Sequence, residues 1–489
     1  MNNLVLPVAL PLVAAGVSMA LLGRLRAQRV LAVATSTATL GIAVWVFVSV
    51  ESTGTMTTVG GGWEAGIGIA LVADRLSAIL LLVAETMLLG VLVFAMGQRG
   101  TDRATRFFHP TYHVLAAGVA LSFLTGDLFT LFVGFEVMLM ASYVLLGVGA
   151  EGERVRSTMT YVVVNLLASV LFLTTIALVY AAAGTVNIAE LAGRIGVLPE
   201  ALRALLGGMT LVVFGIKAAV FPVFSWLPDS YPTAPTPVTA IFAGLLTKVG
   251  VYAILRTQAV LFPSEGPSTL LLVVASGTML VGVLGAIAQS DVKRILSFHI
   301  VSQIGYMIMG IALFTLAGIA GAVLYIVHHI VVKTTLFLVG GLIESEAGTG
   351  ILDRIGGLAR SAPVIGLLFA PAALSLAGLP PFSGFLAKYA LIRAGVEADQ
   401  WIVVGVALAV SLLTLYSMAK IWAGAFWGDE QRDAATARPP TRPMVLATGG
   451  LVLVGLVVAG LAGPLYEFAE RTAAGLLDPG AYVQAVLGG

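Results

Sequence analysis

Fourteen stretches of this 489-residue chain are long and apolar enough to cross a lipid bilayer, at approximately 4–23, 30–50, 70–96, 110–125, 127–149, 157–183, 205–226, 236–258, 268–288, 295–314, 317–342, 362–394, 400–427 and 444–468. A crossing helix needs about 20 apolar residues, and the hydrocarbon offers its backbone no water to bond. Only helices that satisfy their own N–H and C=O groups, or closed barrels, survive there. Runs of this length and number predict an all-α integral membrane protein of about 14 transmembrane helices. Charge agrees with that reading: 10% of residues are charged, whereas a soluble chain carries about a quarter. The net charge of +1 offers no basic surface for nucleic acid. The absence of cysteine excludes disulfides, thiolate metal sites and cysteine nucleophiles. The first run, Leu4 to Leu22, has no basic start and is followed by Arg24, Arg26 and Arg29. It is expected to stay as a span rather than to be cleaved.

The arginines supply an orientation. Odd-numbered loops hold Arg24, Arg26, Arg29, Arg99, Arg103, Arg106, Arg154, Arg156, Lys293, Arg294, Arg354, Arg360, Arg432, Arg438 and Arg442. To the opposite side the reading assigns Arg194, Arg203, Arg256, Arg393 and Arg471, a ratio of fifteen to five. Basic residues concentrate on the cytoplasmic side, so both termini are expected outside the cell membrane.

The lysines do not follow the arginines. Of six, only Lys293 falls in a loop, while Lys217, Lys248, Lys333, Lys388 and Lys420 fall within apolar stretches. Each costs roughly 2.5–3.5 kcal/mol at a helix centre on an insertion scale. Lysine, unlike arginine, can give up its proton when buried, which suits proton transfer. Lys420 lies close in sequence to Asp429, so its stem can also simply reach the interface. Glu136, in "LFVGFEVMLMASY", is the acid placed well inside its span, and its structural alternative is an ion pair between helices. Glu85 is left open, since its long span can place it near an end. Helical spacing puts Tyr325, His329 and Lys333 on one face, and His299, Gln303 and Tyr306 form a second polar stripe. Each stripe fits either interhelical hydrogen bonding or a wetted proton path, for which histidine is suited.

Two spans are interrupted. Pro222 breaks the seventh, beside Lys217, in "FGIKAAVFPVFSWLP", and Pro380 and Pro381 break the twelfth, beside Lys388, in "SLAGLPPFSGFLAKYAL". Irregular backbone at membrane depth is tolerated only within protein or beside a watery cavity. The interruptions are five spans apart, and Lys248 and Lys420 follow their lysines by 31 and 32 residues. Spans four to eight and nine to thirteen therefore read as two five-helix repeats, inverted because five is odd, as in secondary transporters. The chain divides into 1–108 (helices one to three), 109–260 and 261–428 (the repeats), and 429–489 (a cytoplasmic loop and helix 14). At the 171-residue offset Glu136 falls on Met307, so the second copy has no matching acid.

These motifs resemble the proton-translocating antiporter-like family, which includes the A- and D-type polypeptides of Mrp Na+/H+ antiporters and the L-, M- and N-type polypeptides of respiratory complex I. The resemblance covers essentially the whole chain. Its strongest pieces are residues 61–80, "TGDLFTLFVGFEVMLMASYVLL" (125–146), 215–256, "DVKRILSFHIVSQIGYMIMG" (291–310) and "AGLPPFSGFLAKYALI" (377–392). The resemblance implies a proton relay of Glu136, Lys217, Lys248, His328, His329, Lys333 and Lys388, with His299 and Lys420 as further candidates. It implies no cofactor, no metal and no catalytic residue. Partners would be the other subunits of a hetero-oligomeric membrane complex, the lipid bilayer, protons and Na+. "SFHIVSQIGYM" is most similar to the D-type group of Mrp antiporters. The chain ends about twenty residues after its last span, so the carboxy-terminal extension of the Mrp A-type and complex I L-type polypeptides is not expected.

The rival readings are a proton-pumping membrane component of a respiratory NADH–quinone oxidoreductase, which would share these residues, a membrane enzyme and a passive channel. The enzyme lacks support, because neither HExxH nor GxSxG occurs. Buried titratable groups at both broken helices disfavour a channel.

Overall fold

The computed structural model of the protein describes residues 3–63, 68–102, 106–147, 150–431, 433 and 435–488. Arg103 and Arg432, two of the basic loop residues above, lie outside the described residues.

The apolar stretches are helical. In chain order the principal helices are α1 (Leu6–Ala20), α2 (Leu25–Thr53), α3 (Arg75–Gly97), α4 (Phe108–Leu124), α5 (Leu128–Gly147), α6 (Glu153–Ala183), α7 (Glu200–Ala218) and α8 (Thr236–Val260). They continue as α9 (Thr269–Ala288), α10 (Val292–Ala312), α11 (Leu316–Ala347), α12 (Pro363–Ala377), α13 (Ser383–Glu397), α14 (Trp401–Phe426), α15 (Arg442–Gly460) and α16 (Ala462–Leu477). Among the described residues, twelve helices are long and apolar enough to cross a membrane. The fourth and twelfth expected spans are occupied by the 17-residue α4 and by the 15-residue α12 and α13. Side-chain caps fix several starts: Asp74 accepts from the Ser77 N–H, Asp291 from Arg294 and Thr315 from Gly318.

Two features depart from the sequence reading. A short antiparallel hairpin, β1 (Met56–Val59) with β2 (Ala70–Ala73), joins α2 to α3, pairing Met56 with Ala73 and Val59 with Ala70. The stretch 444–468 is not one helix either: α15 ends at Gly460, and α16 is a separate helix packed on α11.

Loop contacts sort into two sets. Arg29 pairs with Asp102, Arg294 with Asp229, Thr441 bonds the Gly97 carbonyl, and Asp291 bridges to Ile351; all lie in odd-numbered loops or their span ends. At the other end Arg256 pairs with Asp74, Arg471 with Glu51, Asp127 bridges to Asn187, and Thr57 bonds the Ala485 carbonyl. The carboxy-terminal end therefore sits with the even-numbered loops, and Asn3–Val5 packs there too, against β1 and β2. Arg75 also sits there, in an ion pair with Glu51, and makes the tally fifteen to six.

The core lies along α8, α10 and α11, which are buried over nearly all of their membrane-length portions. Close backbone approach explains that packing. A Cβ on Gly250 of α8 would stand 2.7 Å from the Ala218 nitrogen of α7. A Cβ on Gly244 would stand 2.1 Å from Thr334 Oγ1 of α11. Both distances are shorter than real Cβ contacts allow, so only glycine lets these helices meet.

Candidate functional site

The first cluster forms where α7 stops. Ala219 takes a left-handed conformation (φ 58°) and ends the helix shortly before Pro222. The freed backbone is satisfied by protein: the Trp226 indole donates to the Ile216 carbonyl at 3.1 Å, and the Phe221 N–H donates to Thr278 Oγ1 of α9 at 3.0 Å. Lys217 lies in the last turn of α7 and is 4% exposed. A helix C-terminus favours a cation, which suits an ammonium there.

Lys217 and Glu136 do not touch directly. The Lys217 ammonium donates to Ser169 Oγ at 2.9 Å and to the Asn165 carbonyl at 3.2 Å, and it stands 5.8 Å from the centre of the Phe135 ring. Ser169 in turn donates to Glu136 Oε1. One hydroxyl of α6 thus links an ammonium on α7 to a half-buried carboxyl on α5. Sequence reasoning passes over Ser169, yet α6 carries a readable signal. Ser157, Tyr161, Asn165 and Ser169 are all buried and stand four residues apart, so they share one face. Tyr161 bonds Ser142 of α5 at 2.8 Å, and its ring packs 5.5 Å from Tyr143 and 6.3 Å from Tyr231. The polar stripe therefore runs from the odd-loop end of α6 to the Glu136–Lys217 link.

The second cluster starts at Lys248, fully buried in α8. Residues Phe242–Leu246 form a π turn. Such a turn displaces carbonyls from the regular helix ladder. Lys248 donates to the Ala243 carbonyl at 2.5 Å and to Thr247 Oγ1 at 3.2 Å. Across from it, α11 holds His328, His329 and Lys333, each without solvent exposure. His328 Nδ1 and Ser383 Oγ, at the start of α13, stand 2.8 Å apart. Among the described residues, both ring nitrogens of His329 and the Lys333 ammonium have no hydrogen-bond partner. Tyr325 donates to Gln303 and stacks on Tyr306 at 5.2 Å. His299 pairs with Ser417 Oγ of α14 at 2.9 Å, its other nitrogen being unpartnered. Lys248 on α8, His299 on α10, His329 and Lys333 on α11 and Lys388 on α13 are all buried, on helices packed around α11.

Lys388 closes the row at the second break. It donates to the Ala377 carbonyl, the last of α12, at 2.9 Å and to Ser411 Oγ at 3.0 Å, with the Tyr306 ring at 5.1 Å. The two breaks are not used alike. Lys217 lies on the half-helix before its break and Lys388 on the half-helix after. Lys420 stands apart from the row. Its ammonium caps the end of α9 through the Ile287 and Gln289 carbonyls at 2.9 and 2.7 Å.

Buried polar groups are normally hydrogen-bonded, by protein or by ordered water. Unpartnered atoms gather in this row: His299 Nδ1, Gln303 Nε2, His328 Nε2, both His329 nitrogens and Lys333 Nζ. Such a row of buried basic groups, flanked by two broken helices, defines a polytopic membrane protein built around an internal polar axis.

Residues 125–414 match the family described as NADH:quinone oxidoreductase/Mrp antiporter, TM. The chain belongs to this family. It is 41% identical to the D subunit of the Na(+)/H(+) antiporter of Alkalihalophilus pseudofirmus, over the whole of both chains. It superposes on a chain of the Mrp complex from Dietzia sp. DQ12-45-1b with a TM-score of 0.92 and 37% identity, covering 99% of each. A chain of respiratory complex I from Thermus thermophilus, 23% identical, shares the fold with a TM-score of 0.78 over 95% of this chain and 99% of that one. The resemblance to the D-type group carried by "SFHIVSQIGYM" agrees with these similarities.

Proposed function

We propose that this chain is a proton-translocating subunit of a multisubunit Na+/H+ antiporter in the plasma membrane. It crosses the bilayer fourteen times in this reading, with the odd loops in the cytoplasm and both termini outside. Helices one to three (1–108) precede two inverted five-helix repeats (109–260 and 261–428), and 429–489 holds the last loop, the last crossing helix α15 and the separate α16.

The observation that carries the reading is the Glu136–Ser169–Lys217 link beside a buried row of further bases. With Glu136 ionised, Ser169 donates to the carboxylate and accepts from the ammonium, so the two charges compensate across one hydroxyl. Protonating Glu136 removes the counter-charge. The ammonium then stands in a low-dielectric interior with only neutral acceptors, a costly state that passing its proton inward relieves. Lys248, Lys333, His329 and His299 each hold a nitrogen lone pair when neutral, and each can accept and pass on one proton, ending at Lys388. Water bridging the unpartnered nitrogens would complete each transfer.

The curated relative is named as one subunit of an antiporter, and the superposed chain comes from a multisubunit complex, which supports partners for this chain. The test replaces Glu136 and Lys217 with alanine in the assembled complex and measures Na+-driven proton movement in everted vesicles. Each replacement should nearly abolish transport while the complex still assembles. Wild-type transport with Glu136→Ala would reduce the link to a packing feature.

A further inference from the structure

The three helices before the first repeat hold a second buried acid that the relay does not use. Glu85 sits at the middle of α3 and is 1% exposed. Eleven residues separate it from Met96, whose carbonyl Arg29 binds at 3.1 Å, a depth of about 16 Å at 1.5 Å per residue. That is near the midplane of a hydrocarbon core about 30 Å thick. Among the described residues no cation pairs with Glu85; its Oε2 contacts Thr39 Oγ1 of α2 at 2.7 Å, and its Oε1 has no partner. Glu136 differs on this point, since it reaches a lysine through one hydroxyl.

Proton counting makes the Thr39 contact informative. Thr39 Oγ1 stands 3.1 Å from the Ser36 carbonyl and 2.7 Å from Glu85 Oε2. A hydroxyl carries one hydrogen, and a carbonyl only accepts. When Thr39 donates to Ser36, the contact with Glu85 closes only if the carboxyl supplies the hydrogen. When Thr39 turns to Glu85, it serves a carboxylate. The same geometry accommodates both states.

Two histidines of α4 stand on the odd-loop side of Glu85. Tyr112 donates to the Leu88 carbonyl at 2.6 Å, which places this part of α4 about one turn of α3 from Glu85. Beside it, His113 is buried with Nε2 unpartnered. One turn nearer the odd-loop end, His109 Nε2 stands 3.3 Å from Asp102, which Arg29 holds at 2.6 and 2.9 Å. The other elements packed on α3 bring few titratable groups. α2 has Arg26, Arg29 and Glu51 near its ends, α15 begins at Arg442, and α11 carries Tyr325, His328, His329, Lys333, Glu344 and Glu346. The helical segment Thr236–Ile241 brings none.

We propose that Glu85 is a proton-binding site of its own, loaded from the odd-loop side through His109 and His113 and separate from the Glu136 relay. A proton taken up on a His109 ring nitrogen passes to His113, whose opposite nitrogen releases one toward Glu85. The carboxylate becomes a carboxylic acid, and both rings return to neutrality.

Infrared difference spectra of the reconstituted complex between two pH values test this. The C=O stretch of a protonated carboxyl should appear, vanish in Glu85→Gln, and persist in Glu136→Gln, so the outcome does not depend on the relay. Thr39→Val, which leaves the acid in place, should shift that band by removing its hydroxyl partner. It serves where Glu85→Gln fails to assemble. After a pH jump, His113→Gln should slow the band's appearance. A Glu85→Gln spectrum identical to wild type, or a band unmoved by Thr39→Val, would overturn the site. An unchanged rise time in His113→Gln would overturn the route.

Discussion

Replacing Ser169 with alanine removes the single hydroxyl between Lys217 and Glu136 and changes no charge. Lys217 loses its acceptor at 2.9 Å and keeps the Asn165 carbonyl at 3.2 Å, while Glu136 loses the donor to Oε1. A hydrogen bond to a charged group contributes about 1.5–3 kcal/mol. At roughly 1.4 kcal/mol per factor of ten, Ser169→Ala should slow transport by about one to two orders of magnitude. Ser169→Thr, which keeps the hydroxyl, should retain most of it. The assay is the initial rate of Na+-driven proton movement in everted vesicles, normalised to assembled complex. In a Glu136→Gln background, Ser169→Ala should add little, because both act through one link. Wild-type rates in Ser169→Ala, or fully additive losses in the double variant, would refute the linkage.

Lys388→Ala should abolish most transport, whereas Lys420→Ala should be mild, since Lys420 only caps the end of α9; vesicle transport rates giving the reverse order would undo this assignment. Gly244→Ala forces a Cβ into Thr334 Oγ1 and should destabilise the protein by about 1–3 kcal/mol, as overpacking does. Adding Thr334→Ala should recover much of that in thermal unfolding of the purified complex, and no recovery would mean another clash dominates. Burial by itself lifts the Asp102 carboxyl, but hydrogen bonds from His109 and Arg29, with the charge of Arg29, outweigh it and hold the group below the usual carboxylate range. Its stabilisation is therefore complete above about pH 4 and is lost as pH falls through the lowered folded-state value. The melting-temperature gap between wild type and Asp102→Asn should persist at neutral pH and close in acid, and a gap independent of pH would contradict this.

The spans were legible because a run of about 20 apolar residues has few other uses. The lysines were legible because a charge in such a run is costly. Ser169 was not, since one hydroxyl in an apolar helix bonds its own backbone without penalty and advertises nothing. The spacing of Ser157, Tyr161, Asn165 and Ser169 held that information, but only a partner helix gives it direction. The π turn beside Lys248 was not read from the sequence; Gly244 within it is a poor helix former, but only the structure shows α11 approaching there. Prolines marked both breaks, and the order of residues already put Lys217 before its break and Lys388 after, but not the hydroxyl and carbonyl groups that each ammonium meets. Glu85 was visible as an acid in an apolar run, yet its depth and its Thr39 partner depend on how α2 and α4 pack.

The most direct measurement adds Na+ to sealed vesicles containing the purified complex, with no electron donor present, and records internal pH. The account predicts proton movement opposite to the Na+ gradient, lost in Glu136→Ala and in Lys217→Ala. Proton movement that appears only when a reduced electron donor is supplied would contradict it and assign the chain to a redox-driven pump.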